Sequence, residues 1–383
     1  MLKKIKAIVK KNKIMLNIYE FFFQRPIYNY YKKKYEKKVL LSYSTYHFNK
    51  KNYTAHTNYS ESLIIAKVFD NLGYIVDIFN NRNNYNINFD DYDIIFGGGA
   101  LMYKSLEART SAITIYYGTG SHPWQCTDAS LKRVLEFYNK TNYIAMKSTR
   151  MQDINAGLAA SLCKYVLCIG NEQTKKTFID NHCKNVSMIN PTFHSLKNIE
   201  VINKESNSKN NFLYFGSYGL LHKGLDLVID AIKKFPDCTL HICGYVDREK
   251  DFISKLDFPD NIVVHGFIDI ESKIFKDLSR KCAFTILPSA SEGIATAIIT
   301  GMGRGAMIPI VTKECGIDLD DFGIEIEKLT VKSVEMSIQE SLNLSEVEID
   351  KRSQASQQKA YEYYTLKNYE KNLTNYLKNI KND

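Results

Sequence analysis

Apolar residues in this chain come in short unbroken runs separated by stretches of helical period, and that alternation repeats along most of its length. Val39–Tyr43, Ile75–Phe79, Asp93–Phe96, Ala112–Tyr117 and Tyr165–Ile169 each read as a strand buried on both faces, the pattern of a parallel sheet. A helix is predicted between the first two, from an Asn58-x-x-Glu61 capping box to a stop at Gly73, and another begins near Asn171 and Glu172. The polar run Asn203–Asn211 reads as an interdomain linker, after which the pattern restarts. Strands are predicted at Phe212–Phe215, Thr239–Cys243, Ile262–Val264, Ala283–Leu287 and Met307–Val311. Helices are predicted at Leu225–Lys234, at Ile270–Ser279 and after Glu292, and residues 331 to 343 and 346 to 380 have helical period.

This spacing is that of βαβ units, so the fold class is α/β: two doubly wound, Rossmann-like domains facing a cleft. The 383 residues suffice for two such domains, each large enough to bury a core. The boundaries expected are an N-terminal extension over 1–38, a first domain over 39–200, a second over 201–345, and C-terminal helices over 346–383 that cross back over the cleft.

The formal net charge of +9 is unevenly distributed. Residues 1–38 hold twelve Lys and Arg against Glu20 and Glu36, which leaves the remainder near neutrality. In the extension the lysines alternate with Leu2, Ile5, Ile8, Val9, Phe21, Phe22 and Phe23, a composition that suits an anionic membrane surface. A helix packed on its own protein is the other reading of that segment. A nucleic-acid partner is not expected, because the folded part carries no basic excess. With no signal peptide and no bilayer-length apolar run, the expected location is the cytoplasm, peripheral on the inner face of the membrane. The eight cysteines form no CxxC pair and are expected to be reduced and structural.

In doubly wound sheets ligands sit beyond the carboxyl ends of the strands, and candidate chemistry lies there. Lys223 and Gly224 open the helix after the Phe212–Phe215 strand, where an ammonium beside free amides would neutralise a diphosphate; Gly216 and Gly219 would let the backbone come close. Glu292 and Gly293 follow the Ala283–Leu287 strand, where a carboxylate could accept from sugar hydroxyls. His122 ends the Ala112–Tyr117 strand. Gly97–Gly99 either admits a ligand or turns the chain, and His56 and Asn58 are weaker acceptor-side candidates. Asp91 and Asp93 precede a strand and read as a strand entry. No His/Cys/Asp cluster has metal-ligand spacing, so neither a metal nor another cofactor is expected.

The run from Phe215 to Asp318, with Gly216…His222-Lys223-Gly224-Leu-Asp226, Cys243-Gly244, Val264-His265-Gly266, Pro288-Ser289-x-x-Glu292-Gly293 and Pro309-Ile-Val-Thr312, resembles the donor domain of family-4-like retaining glycosyltransferases with the GT-B fold. The resemblance implies metal-independent sugar transfer, with retention, from a nucleotide-sugar donor to a saccharide or lipid-linked acceptor, in assembly of a surface polysaccharide or glycolipid. It places the diphosphate-binding lysine on Lys223 and the sugar-contacting glutamate on Glu292. The phosphate- and sugar-binding amides fall on Gly293, Ile294, Ala295 and Thr296, and the base falls near Gly266, Phe267 and Ile268. His122 would stand in the acceptor-side wall. Two positions depart from the pattern. The family's second glutamate, a ribose ligand, is Thr300, and the arginine that usually follows the first glycine is Ser217, which removes a cation. Arg304 is too far along its helix to substitute. These departures motivate an alternative, a catalytically weak or inactive protein that binds nucleotide-sugar or glycan as a partner subunit; a phosphorylase of the same architecture is a further rival.

Overall fold

The computed structural model describes residues 25–49, 57–83 and 85–380. Most of the basic extension and His56 lie outside the described residues.

The first sheet holds β1 (Lys37–Tyr43), β2 (Tyr74–Asn80), β3 (Ile94–Gly97), β4 (Ile113–Gly118), β5 (Tyr165–Ile169) and β6 (Val186–Ile189), all parallel, in the order β2-β1-β3-β4-β5-β6. The second holds β7 (Asn211–Phe215), β8 (Thr239–Cys243), β9 (Ile262–Gly266), β10 (Phe284–Leu287), β11 (Ile308–Val311) and β12 (Ile324–Glu325), in the order β12-β11-β10-β7-β8-β9. That is the order of a dinucleotide-binding sheet, with its switch point between β7 and β10. The predicted strands match these elements, whereas β6 and β12 were too short and mixed in character to be read from sequence.

The principal helices are α1 (Asn58–Asn71), α2 (Gly99–Glu107), α3 (Pro123–Thr141), α4 (Ile154–Leu162), α5 (Glu172–Asp180), α6 (Leu225–Ile232), α7 (Lys273–Lys281), α8 (Thr296–Gly305), α9 (Val331–Asn343), α10 (Glu346–Tyr363) and α11 (Leu366–Lys378). The capping box expected at α1 does not form. Thr57 is its N-cap, and Glu61 turns inward, where its Oε1 accepts from the Thr192 amide (2.8 Å) and hydroxyl (2.9 Å). Burial outcompetes the cap because the inner face of α1 carries Ile65, Val68 and Phe69 against the sheet.

The C-terminal helices do cross between the two sheets' layers. Helix α10 is fixed to the second by Ser356, whose hydroxyl donates to the Met307 carbonyl at 2.8 Å. The chain then breaks at Tyr364 and Thr365, and α11 packs on α1, where Tyr369 and Tyr117 share a 2.7 Å hydroxyl bond and Lys67 meets Glu370 at 2.7 Å.

Two segments read as extension or linker prove to be docked. Ile27 exchanges backbone hydrogen bonds of 2.9 and 2.8 Å with Ile78, and the Tyr28 ring packs edge-on against Phe79, so the end of the basic extension covers the open edge of β2. In the linker, the buried Lys204 ammonium donates to the carbonyls of Ser279, Cys282 and Gly305 at 2.7–2.9 Å, clamping the ends of α7 and α8. All eight cysteines are free and buried. Among the described residues no helix is long and apolar enough to cross a membrane.

Candidate functional site

The switch point of the second sheet brings Lys223 and Glu292 together. Lys223 follows β7 on a loop held by Gly224 in the left-handed region (φ +66°), where a Cβ would meet the Pro288 carbonyl at 2.3 Å. Glu292 follows β10 on a loop tied to the turn after β11, its amide donating to the Glu314 carbonyl at 2.9 Å. The Lys223 ammonium donates directly to Glu292 Oε1, which also accepts from the Ser289 hydroxyl at 3.0 Å. Both side chains are largely buried. Burial alone would raise the Glu292 pKa, but Lys223, Arg150 and the His222 ring overcome it and hold the carboxyl at about 2.

The loop bearing Lys223 is shaped by a residue that the pattern of the chain did not single out. Glu249, buried after β8, accepts from the amides of Gly219 (2.6 Å) and Leu220 (3.0 Å). Gly216 has its amide on the Cys243 carbonyl at 3.0 Å and stands beside the Lys223 side chain. Ser217 brings no charge to this loop.

The first domain closes directly onto these loops. The Ser121 and Ser291 hydroxyls are hydrogen-bonded, and the Thr174 hydroxyl donates to the Gly293 carbonyl at 3.0 Å. Gly293 is glycine for want of room, since a Cβ there would lie 2.4 Å from the Ile169 carbonyl. His222 spans the boundary: its Nε2–H donates to the Ser291 carbonyl (2.7 Å), so Nδ1 accepts from the Ser130 hydroxyl (2.9 Å) on α3. Burial pushes its pKa down to about 4, so the ring is neutral. The Ser130 oxygen in turn accepts the Arg150 amide at 3.2 Å.

Several expected site residues are placed elsewhere. The His122 side chain does not face the cleft. It is fully buried, accepts from the Trp124 amide at 3.3 Å as N-cap of α3, and packs edge-on against Phe178. Ile268, Ile294 and Ala295 belong to the apolar core, and the Ala295 amide is taken by the Cys315 carbonyl at 3.0 Å, so it offers nothing to a phosphate. Gly293 and Thr296 remain at the entry of α8. Thr300 donates to the Thr296 carbonyl at 2.8 Å within α8 and is buried, while Arg304 is bound by Glu271 and the His194 carbonyl, well away from Lys223.

Gly266 turns β9 with φ +70°, and Phe267 beyond it is half exposed. The Phe267 ring stacks on Tyr245 (4.7 Å, 11°), with the Arg248 guanidinium 3.7 Å from the centre of the other ring of the pair, Tyr245. This flat face stands at the carboxyl ends of β8 and β9. The Gly97–Gly99 run is filled by the chain itself: Cβ atoms at Gly97 and Gly99 would meet the Ser42 and Asn81 carbonyls at 2.1 and 2.3 Å. Asp93 accepts the Lys38 amide at 2.7 Å at the strand entry, and no group of three metal-ligating side chains occurs among the described residues.

Residues 197–318 match the family model of glycosyl transferases group 1. That stretch contains Lys223, Glu292 and every strand of the second sheet but β12. No protein of curated function matches the chain in sequence. Among solved structures, Anabaena Alr3699/HepE in complex with UDP and glucose superposes with a TM-score of 0.57 at 13% identity, over 90% of this chain and 100% of that one. A glycosyltransferase from Rickettsia africae gives 0.54 at 14% identity over 91% and 100%, and the lipopolysaccharide outer core galactosyltransferase WaaB gives 0.52 at 13% over 89% and 99%. At such identities the likeness is one of fold, and the fold is GT-B.

Proposed function

We propose that this protein transfers a sugar from a nucleotide-sugar donor to a saccharide or lipid-linked acceptor. The observation that carries the reading is the Lys223–Glu292 pair at the β7/β10 switch point, inside the stretch matched by the group 1 family. A buried lysine at a helix entry suits a diphosphate, whose negative charge grows as the glycosidic bond breaks. A carboxylate held ionised beside it suits the hydroxyls of the sugar, and arrival of the diphosphate would compete for the ammonium and release Glu292 to them. The stacked faces of Phe267 and Tyr245 suit a nucleobase. HepE has been seen with UDP and glucose, which makes uridine nucleotides the first donors to try.

In this reading the acceptor hydroxyl attacks from the face the leaving group departs, giving retention, and cationic side chains rather than a metal ion stabilise the nucleoside diphosphate. The acceptor belongs to a surface polysaccharide or glycolipid, and the basic residues 1–38 hold the protein to an anionic membrane, beside the point where Ile27 pairs with the edge of β2.

The test is a thermal-shift panel of nucleotides and nucleotide-sugars followed by an assay for release of nucleoside diphosphate. Stabilisation by one nucleotide family and turnover abolished in Lys223→Ala support the reading; no binding and no release from any donor overturn it. Binding without release would favour the partner-subunit reading, which draws support from Thr300, whose hydroxyl is spent on its own helix.

A further inference from the structure

Arg150 belongs to the first domain, on the irregular segment between α3 and α4, yet its side chain runs into the second. Its guanidinium carbon lies 4.9 Å from the centre of the Tyr218 ring. A Cβ on Gly219 would meet Arg150 Cγ at 2.6 Å and Cδ at 3.0 Å, so the aliphatic stem lies directly on the loop that carries Lys223. Gly219 also has φ +83°, and a residue with a side chain would be both strained and obstructive there.

The guanidinium has no hydrogen-bonding partner among the described residues. Of the carboxylates around it, both oxygens of Glu249 are on the Gly219 and Leu220 amides and Glu292 Oε1 holds Lys223 and Ser289, while Glu292 Oε2 makes no hydrogen bond among the described residues. Five planar donors are thus held at the mouth of the loop with only an aromatic face beneath them, an arrangement suited to two oxygens of an anion. Position is also specified. The Arg150 amide, the Ser130 hydroxyl, the His222 ring and the Ser291 carbonyl form one continuous hydrogen-bonded line that ends beside Glu292, so Arg150 is in register with the lysine–glutamate pair.

We infer that Arg150 is the second cation of the diphosphate site, supplied across the domain boundary to a loop where Ser217 offers none. This rests on the glycosyl-transfer reading and sharpens it: the donor site is complete only while the domains are together, and opening withdraws one of its two cations. Product nucleoside diphosphate would accordingly leave as the domains part.

The experiment is calorimetry on the full chain with UDP and GDP, and with uridine and guanosine as phosphate-free controls. Arg150→Gln keeps the length and packing of the side chain and removes the charge, Arg150→Lys keeps the charge, and Ser217→Arg in the Arg150→Gln background returns a cation from the second domain. The expected result is about a tenfold or greater loss of diphosphate affinity in Arg150→Gln, with nucleoside binding unchanged and affinity regained in Arg150→Lys or in the double variant. If Lys223→Ala weakens the diphosphate but Arg150→Gln shifts it less than about twofold, the inference falls and the glycosyl-transfer reading stands. Equal loss for diphosphate and nucleoside, unrestored by Ser217→Arg, would make Arg150 a packing residue only and also overturns it. Failure of the unaltered protein to bind either diphosphate would overturn both.

Discussion

Arg133 on α3 and Asp226 on α6 form a buried ion pair across the domain boundary, one guanidinium nitrogen donating to both carboxylate oxygens at 2.8 and 2.7 Å. Asp226 lies two residues beyond Gly224, so the pair fixes the helix that Lys223 introduces. Removing Arg133 strands the Asp226 charge in the interior, and removing Asp226 leaves the buried Arg133 only the exposed Glu136, whereas replacing both with apolar side chains strands neither. Arg133→Ala or Asp226→Ala should cost about 3–5 kcal/mol in chemical denaturation, and Arg133→Met with Asp226→Leu should recover most of it. Single variants as stable as the parent would show that the pair is hydrated and of little consequence.

Glu61 gives the first domain a pH dependence. Burial is the main influence on its carboxyl and, against the two bonds from Thr192, raises its pKa to about 7; its second oxygen is buried without a partner. The folded chain therefore holds this proton more tightly than the unfolded one. The stabilisation is complete below the unfolded value near 4.5 and is lost progressively as pH rises to about 7, a change on the order of 3 kcal/mol. Glu61→Gln should raise the melting temperature at pH 8 and leave it nearly unchanged at pH 4.5. Equal shifts at both pH values would refute the linkage.

Gly293→Ala should drive the loop after β10 away from the first domain, because the new methyl meets backbone at Ile169 and Gly120 rather than a side chain that can turn aside. A cost of about 1–3 kcal/mol is expected, with faster hydrogen exchange in 118–122 and 170–174 and unchanged protection in the strands. Exchange unaltered in those two loops would mean that they do not form the contact described.

His122→Ala separates a structural histidine from a chemical one. As the N-cap of α3 with a buried ring, it should lower stability by about 1–2 kcal/mol while kcat/KM of the folded protein stays within about twofold. A folded variant that had lost activity a hundredfold would restore the histidine to the site.

The elements were legible wherever burial and period agreed. A parallel strand covered on both faces is mostly apolar, so β7, β8 and β10 stand out as Phe-Leu-Tyr-Phe, Leu-His-Ile-Cys and Phe-Thr-Ile-Leu runs, in which His241 and Thr285 are hydrogen-bonded. Lys223 and Glu292 were legible because they follow such strands, where this architecture places ligands. His122 also follows a strand, but its ring is buried as the N-cap of α3, since the rule says which loop reaches the cleft and not which way a side chain on it turns.

Local sequence, then, determined two doubly wound layers, their strand ends and the two charged residues at the β7/β10 junction, because those features depend on period and on order along the chain. What completes that junction comes from packing between elements remote in the chain. Glu249 is carried to the Gly219 and Leu220 amides within its own domain by the turn after β8, and it is the closing of one domain on the other that sets the Arg150 stem on the Lys223 loop and Ser130 on His222. No residue spacing encodes that encounter, because it depends on how two separately folded layers meet.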